Sequence, residues 1–278
     1  MADGVKNYDG RDDTGHRDGS FLSLFVRTLY RVVIYMKEYA YQYEMHCHTN
    51  WCSACAHNSP EEMAAAYFQA GYAGMVITDH FLSGNTAVNR ALPWEDKARR
   101  YWEAYGAAKN WGAGKGFTVL FGLEHLYGDG KEVLTYGIDL DFLLAHPDLD
   151  KYSLEDYSAA VHKAGGFLSH AHPFRHAPYI NTSVPPRIQY MDAVETFNFY
   201  NEDEENRQAA KLAREKGLLT TSGGDEHIQD GKAIGRAGVL FPVPPKDNQE
   251  LVSLLRAGDY KLCAKGQAVS KDSLLESV

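Results

Sequence analysis

The chain has 278 residues, 44% of them hydrophobic and 12% aromatic, enough to bury a substantial core and to exclude a largely disordered protein. Twenty-eight basic against 37 acidic residues leave a formal charge of -9. That balance disfavours a basic track for long nucleic acid but not a small phosphorylated substrate, because metal ions can supply local positive charge. Four cysteines in a chain neither short nor cysteine-dense argue against a disulfide framework and for a reducing cytoplasm.

Residues 1–20 are polar and Asp/Gly-rich and are expected to be disordered. Residues 21–36 are apolar but interrupted by Arg27 and Arg31. The segment falls short of the roughly 20 apolar residues of a membrane span and lacks the basic leader of a signal peptide. It reads as an accessory helix, or as an upstream extension, so that residues 1–40 stand apart from a domain spanning 41–278.

From there strands and helices alternate. Tyr41–Thr49 reads as a strand. Ser59-Pro60-Glu61-Glu62 opens a helix with an N-cap, a first-turn proline and a capping box. Ala73–His80 is a nearly continuous apolar run, as expected of a strand buried on both faces. A helix over Trp94–Trp111, a strand over Phe117–His125 and another over Val133–Ile138 follow. A Ser153-capped helix then leads to strands at Phe167–His172 and Ala193–Phe197. A charged helix over Glu202–Lys216 precedes Leu218–Ser222, a strand at Ala237–Phe241, a helix at Asn248–Ala257 and a short strand at Lys261–Ala264. The alternation suggests parallel βα units, closed as a barrel or open as a doubly wound sheet.

The strand ends carry the chemistry. They read His46-Cys47-His48, Thr78-Asp79-His80, Gly122-Leu123-Glu124-His125, His170-Ala171-His172-Pro173 and Asp225-Glu226-His227. In a parallel α/β fold the carboxyl ends of the strands open on one face, and residues i and i+2 share a strand face. A single strand-end histidine is commonly a hydrogen-bonded rim residue; five apolar strands all ending in ligand-type residues point to a metal site. Mixed imidazole and carboxylate ligands suit Zn, Mn or Fe without selecting among them. Two such ions about 3.5–4 Å apart can share a hydroxide and clamp phosphoryl oxygens. Asp79 reads as an orienting group for a ligand. Arg175, three residues past His172, and Arg236 are candidates for a phosphate fork or for rim ion pairs. Glu195, Asn198 and His170 are candidate site neighbours, and His125 is expected to be structural. Cys52-Ser53-Ala54-Cys55 reads as loop cysteines, a metal-adjacent pair or a redox pair.

In this order, His46-x-His48, Thr78-Asp79-His80, Gly122-x-Glu124, His172-Pro173 and Gly224-Asp225-x-His227 resemble the motifs of the PHP (polymerase and histidinol phosphatase) superfamily, over residues 42–242. The resemblance implies an α/β fold, a distorted (β/α)7 TIM-like barrel with its metal site at the C-terminal ends of the strands. It also implies two or three divalent transition metal ions and hydrolysis of a small phosphomonoester, histidinol phosphate-like or nucleotide-like. Carried over by position, His46, His48, Glu124 and Asp225 would hold one ion, Glu124 and His172 a second, and His80 and His227 a third. The Asp or His that the family often places after the first motif is replaced by a stretch offering Cys55 or His57. The histidine common on the strand after the Glu motif has no counterpart in Val133–Gly137. A metal-dependent amidohydrolase and a non-catalytic metal-binding module are the competing readings. The amidohydrolase commonly uses a metal-bridging lysine, and no strand-end lysine stands out.

Overall fold

The computed structural model describes Met1, residues 38–271 and residues 273–275; the disorder and accessory helix expected over residues 2–37 lie outside them. Among the described residues ten strands build one sheet: β1 (Tyr41–Glu44), β2 (Gly74–Ile77), β3 (Thr118–Gly128), β4 (Lys131–Tyr136), β5 (Phe167–His170), β6 (Ala193–Asn198), β7 (Leu219–Gly223), β8 (Ala237–Phe241), β9 (Lys261–Ala264) and β10 (Gln267–Val269). Their order is β10-β9-β8-β1-β2-β3-β4-β5-β6-β7. The α-helices among the described residues are α1 (Pro60–Gln69), α2 (Trp94–Gly112), α3 (Leu140–Ala145), α4 (Leu154–Lys163), α5 (Asp203–Lys216) and α6 (Asn248–Ala257). None is long and apolar enough to cross a membrane.

The sequence dictates most of these boundaries locally. Ser59 and Glu62 form the capping box of α1. Ser153 and Asp247 cap α4 and α6, and Gly217 and Gly258 end α5 and α6 in the left-handed conformation. The strictly parallel alternation expected from the sequence does not hold throughout. β1–β2–β3 and β5–β6–β7 pair in parallel, but β4 is antiparallel to both its neighbours. The turn Gly128-Asp129-Gly130, with positive φ at all three residues, reverses the chain directly into β4. A parallel return would need a crossover of a dozen or more residues. β8 likewise runs antiparallel to β1 and β9.

The sheet curls so that β7 comes beside β8 and β9. Ser222 Oγ accepts from Gly238 N (3.1 Å) and donates to the Cys263 carbonyl (2.6 Å), and Tyr260 donates to the Thr220 carbonyl (2.8 Å). The result is a mixed α/β half-barrel. Strand alternation sorts its side chains. Val76, Leu120, Leu134, Tyr136, Ala193 and Val239 pack inside it with Leu251 and Leu255 of α6. Met75, Ile77, Val119, Phe121 and Leu123 face outward into a second core with Met63, Tyr67 and Tyr101 of α1 and α2. On β3 the inward row is Leu120, Gly122 and Glu124. Apolar filling therefore lies below, and a carboxylate stands at the top of the same face.

The inner packing leaves no room at Gly74, where a Cβ would meet the Thr118 carbonyl oxygen and the Tyr43 ring. Gly74→Ala must displace backbone, and overpacking of this kind costs about 1–3 kcal/mol. Thermal denaturation should show a melting temperature lower by roughly 3–10 °C. An unchanged melting temperature would mean that the β1–β2–β3 contact is looser than it stands here.

Candidate metal centre

Most candidate ligands stand just past the ends of strands, where the chain has left its ladder. His46 and His48 follow β1, His80 follows β2, His172 follows β5, and Asp225 and His227 follow β7; Glu124 alone lies within a strand. His172 and Asp225 have positive φ, 24° and 53°, a region that residues with a Cβ enter at a cost. Glu44, the last residue of β1, ties two of these segments together. Its buried Oε1 accepts from the amides of Met45 (2.9 Å), His46 (2.9 Å) and Gly224 (2.7 Å). Burial pushes its carboxyl up to about 7 despite those amides.

Glu124 is the hub. Its Oε1 lies 3.1 Å from His46 Nε2 and 3.1 Å from His172 Nε2, and its Oε2 lies 2.7 Å from His80 Nδ1 and 3.4 Å from His48 Nε2. His48 Nε2 and His46 Nε2 also approach Asp225 Oδ1, at 3.1 and 3.4 Å. Glu132, from β4, faces His172 Nε2 at 3.5 Å and His80 Nδ1 at 3.6 Å. His227 stacks on His48, with ring centroids 4.2 Å apart. Ligand atoms lie within 4.8 Å of one another in four groups: His46, His48 and Asp225; His46, Glu124 and His172; His80, Glu124 and Glu132; His48, His80 and His227.

Charge and hydrogen bonding show what this arrangement lacks. His46 Nε2, His80 Nδ1 and Glu124 Oε2 are buried and, although they face one another's groups at 2.7 to 3.1 Å, make no well-directed hydrogen bond. Buried polar atoms are almost always paired, so atoms converging unpaired on one place call for a ligand. Burial disfavours charge on all these groups. It is outweighed at Glu124 and Asp225, chiefly by His46, so both stay well below the usual carboxylate range. At Glu132 burial and the neighbouring Glu124 charge push the carboxyl up to about 8. Imidazole and carboxylate donors crowded at these spacings fit divalent transition metal ions.

Further groups hold the ligands. Glu195 accepts from His172 N (3.0 Å) and faces His46 Nδ1 (3.0 Å), which leaves His46 Nε2 turned to the centre. Asp79 accepts from the Thr49 amide, the Thr49 hydroxyl and the Ser53 hydroxyl. Ser53 Oγ in turn meets His48 Nδ1 (3.2 Å) and accepts from His80 N (2.9 Å). The buried Glu226 carboxylate accepts from the amides of His227, Ile228 and Ala233 and from the Tyr200 hydroxyl, fixing the loop beyond Asp225.

The structure therefore brings together His46, His48, His80, Glu124, His172, Asp225 and His227, all seven candidate ligands read from the sequence. Glu132 was not among them. Its signal was the Asp129-Gly130 turn: the hairpin pairs Glu124 with Leu134 and Leu126 with Glu132, and paired residues share a face. Arg175 reaches the centre through Asp225, with Nη1 2.7 Å from Oδ2, while Nη2 donates to Asn198 (2.7 Å) and Nε to Asn201 (3.0 Å). Arg236 is exposed over the Phe199 ring and does not line the pit. Cys55 lines it beside His80 and His227, whose hydrogen bonds outweigh burial and bring its thiol down to about 6; His57 is exposed. His170 is bound by Tyr127, and His125 is stacked on Tyr157 in the core.

A family model described as PHP-associated matches residues 203–260. No curated protein matches the chain. Among solved structures, a two-domain protein containing a predicted PHP-like metal-dependent phosphoesterase, from Bacteroides vulgatus ATCC 8482, is 12% identical with a TM-score of 0.59, over 85% of this chain and 68% of that one. PsfC from Pseudomonas syringae PB-5123 is 15% identical with a TM-score of 0.54, over 85% of this chain and 93% of that one. Endonuclease Q, in complex with a 27-mer duplex bearing an abasic lesion, is 11% identical with a TM-score of 0.55, over 78% of this chain and 56% of that one. At these identities the likeness is one of fold.

Metal ions that bind the folded centre should stabilise it by mass action. Elemental analysis is expected to find at least two transition metal ions per chain, and a chelator should lower the melting temperature, with recovery on adding Zn or Mn. Arg175→Ala should weaken metal retention by about 10- to 100-fold, because Asp225 loses the group that orients it. Metal-free protein with the same melting temperature as metal-treated protein would sink the assignment.

Proposed function

We propose that the chain is a PHP-type metal-dependent phosphoesterase hydrolysing a small phosphomonoester, histidinol phosphate-like or nucleotide-like, a reading supported by the PHP-associated family model over residues 203–260 and by the fold it shares with a predicted PHP-like phosphoesterase. The observation that carries the reading is the convergence in one pit of His46 Nε2, His80 Nδ1 and Glu124 Oε2, buried and without well-directed hydrogen bonds. In this reading His46, His48 and Asp225 hold one ion. Glu124, His172 and Glu132 would hold a second, and His80 and His227 would contribute to a third. Two or three divalent ions, Zn, Mn or Fe, would acidify a water at neutral pH and neutralise charge on the phosphoryl oxygens.

The chain's own groups do the rest. Glu195 keeps His46 in one ring orientation, and Asp79 acts through Ser53 on His48 and His80. Arg175 has five N–H groups. Three are committed to Asp225, Asn198 and Asn201. One on each Nη is left to reach a phosphoryl oxygen in the pit that Arg175 lines. Arg236 has no such access and takes no part. The pit encloses about 580 Å3, and Leu126, Asn85 and Tyr179 at its wall leave space for a small organic leaving group. No lysine lines the pit among the described residues, so the bridging lysine of the amidohydrolase reading has no candidate.

Metal-loaded protein assayed against phosphomonoesters, hydantoin-type amides and DNA oligonucleotides should turn over a phosphomonoester. Glu124→Gln keeps the shape but removes the charge shared by four imidazoles. It should lower kcat/KM by about 1000-fold or more while the protein stays folded. Near-normal turnover in that variant, or hydrolysis of amides alone, would overturn the proposal.

A further inference from the structure

Arg175 also lines a second cleft, of about 330 Å3. The residue that makes this cleft unusual is Lys131, on β4 next to Glu132. Neighbours on a strand face opposite ways, so the residue before a pit-facing carboxylate is turned to the other side. Lys131 is only 5% exposed and lines the cleft. Among the described residues no hydrogen bond or ion pair engages its ammonium. The nearest influence of opposite sign, Asp129, lies on the turn and faces Arg187 at 3.8 Å. Its stem is buried, and its ammonium opens on the cleft with no partner of its own, placed to meet an anion there.

The other walls favour an anion. Arg175, His176, Thr182, Ser183 and Gln208 contribute cationic and hydroxyl or amide groups, and no Asp or Glu lines the cleft, in a chain of net charge -9. The flanking charges are already balanced: Arg175 pairs with Asp225, and His176 Nδ1 faces Glu205 at 3.0 Å. Lys131 alone is left over. Arg175 forms a wall common to this cleft and the metal pit.

We propose that the cleft around Lys131 binds a second anionic group, phosphate or carboxylate, of the same substrate whose phosphomonoester is cleaved in the pit. The inference rests on the phosphoesterase reading for the reaction but not for the binding. It narrows the substrate class to phosphomonoesters that carry a further anionic group within reach of Arg175.

The test uses alkanediol monophosphates and bisphosphates of increasing chain length with the metal-loaded full chain, in the unaltered protein, Lys131→Met and Lys131→Gln. At the matching length the bisphosphate should exceed its monophosphate in kcat/KM by about 10- to 100-fold, mainly through KM. Both variants should lose that advantage while keeping the monophosphate rate and the melting temperature. Calorimetric titration with the non-hydrolysable bisphosphonates should show the same length and Lys131 dependence. Equal binding of mono- and bis-substituted compounds at every length overturns the inference and leaves phosphoester hydrolysis standing. Lys131-dependent binding of inorganic phosphate with no bisphosphonate advantage also overturns it, since the cleft would then hold a separate anion. Lys131-dependent bisphosphonate binding without hydrolysis of any phosphoester supports the cleft and rejects the phosphoesterase reading instead.

Discussion

Four imidazoles crowd one buried carboxylate. Glu124 has His46, His172, His80 and His48 within 3.4 Å of its two oxygens, with no exposure on its side chain. Such a cluster cannot be stabilised by solvent, and its members cannot all satisfy one another by hydrogen bonds. A neutral imidazole donates from only one of its two ring nitrogens, so rings that also meet partners on the far side cannot all donate to Glu124 unless they carry charge, and burial opposes that charge. Divalent cations would resolve the conflict, because unprotonated nitrogens and ionised carboxylates are the forms that bind them.

The rest of the fold makes this crowding possible. Strand alternation places Leu120 below Glu124 on the same face of β3, and Val76, Leu134 and Tyr136 fill the space beneath. The ligands rest on an apolar floor that keeps water out from below. A second layer of carboxylates then fixes the loops that bear them. Glu44 binds the amides of both the His46 and the Gly224 segments, Glu195 the His172 amide, and Glu226 three amides of the loop beyond Asp225. Backbone amides are strong partners for buried carboxylates, so these residues act as fixed points from which the imidazoles are aimed.

How far the sequence disclosed this depended on the kind of signal. His46, His48, His80, Glu124, His172, Asp225 and His227 were legible as candidates because ligand-type residues recur at the ends of successive strand-like segments. Glu132 did not stand out, since it precedes its run and sits beside Lys131. Only the hairpin register with β3 places it opposite Leu126. The same hairpin is why the fold was readable as alternating α/β but not in strand direction: the turn Gly128-Asp129-Gly130 reverses β4 within a fold otherwise suited to parallel units. Glu44 and Glu226 look like ordinary acidic residues in a linear reading, and their burial is a tertiary fact. Arg175 and Arg236 were equal in sequence; what separates them is Asp225 beside one and the Phe199 ring beside the other.

Backbone strain completes the picture. His172 and Asp225 adopt positive φ, which costs about 1–3 kcal/mol for each non-glycine residue. Neither is left to hold that shape alone. The His172 amide is bound by Glu195, and the Asp225 carboxylate is gripped by Arg175 and approached by Asn198. Both strained residues lie where the chain leaves a strand and must turn a ligand inward. An extended backbone there would carry on along the strand direction, away from the hub. The strain is therefore concentrated at the points where ladder geometry and ligand geometry disagree. The amide-bound carboxylates and Arg175 let the second geometry prevail without disturbing the strands below.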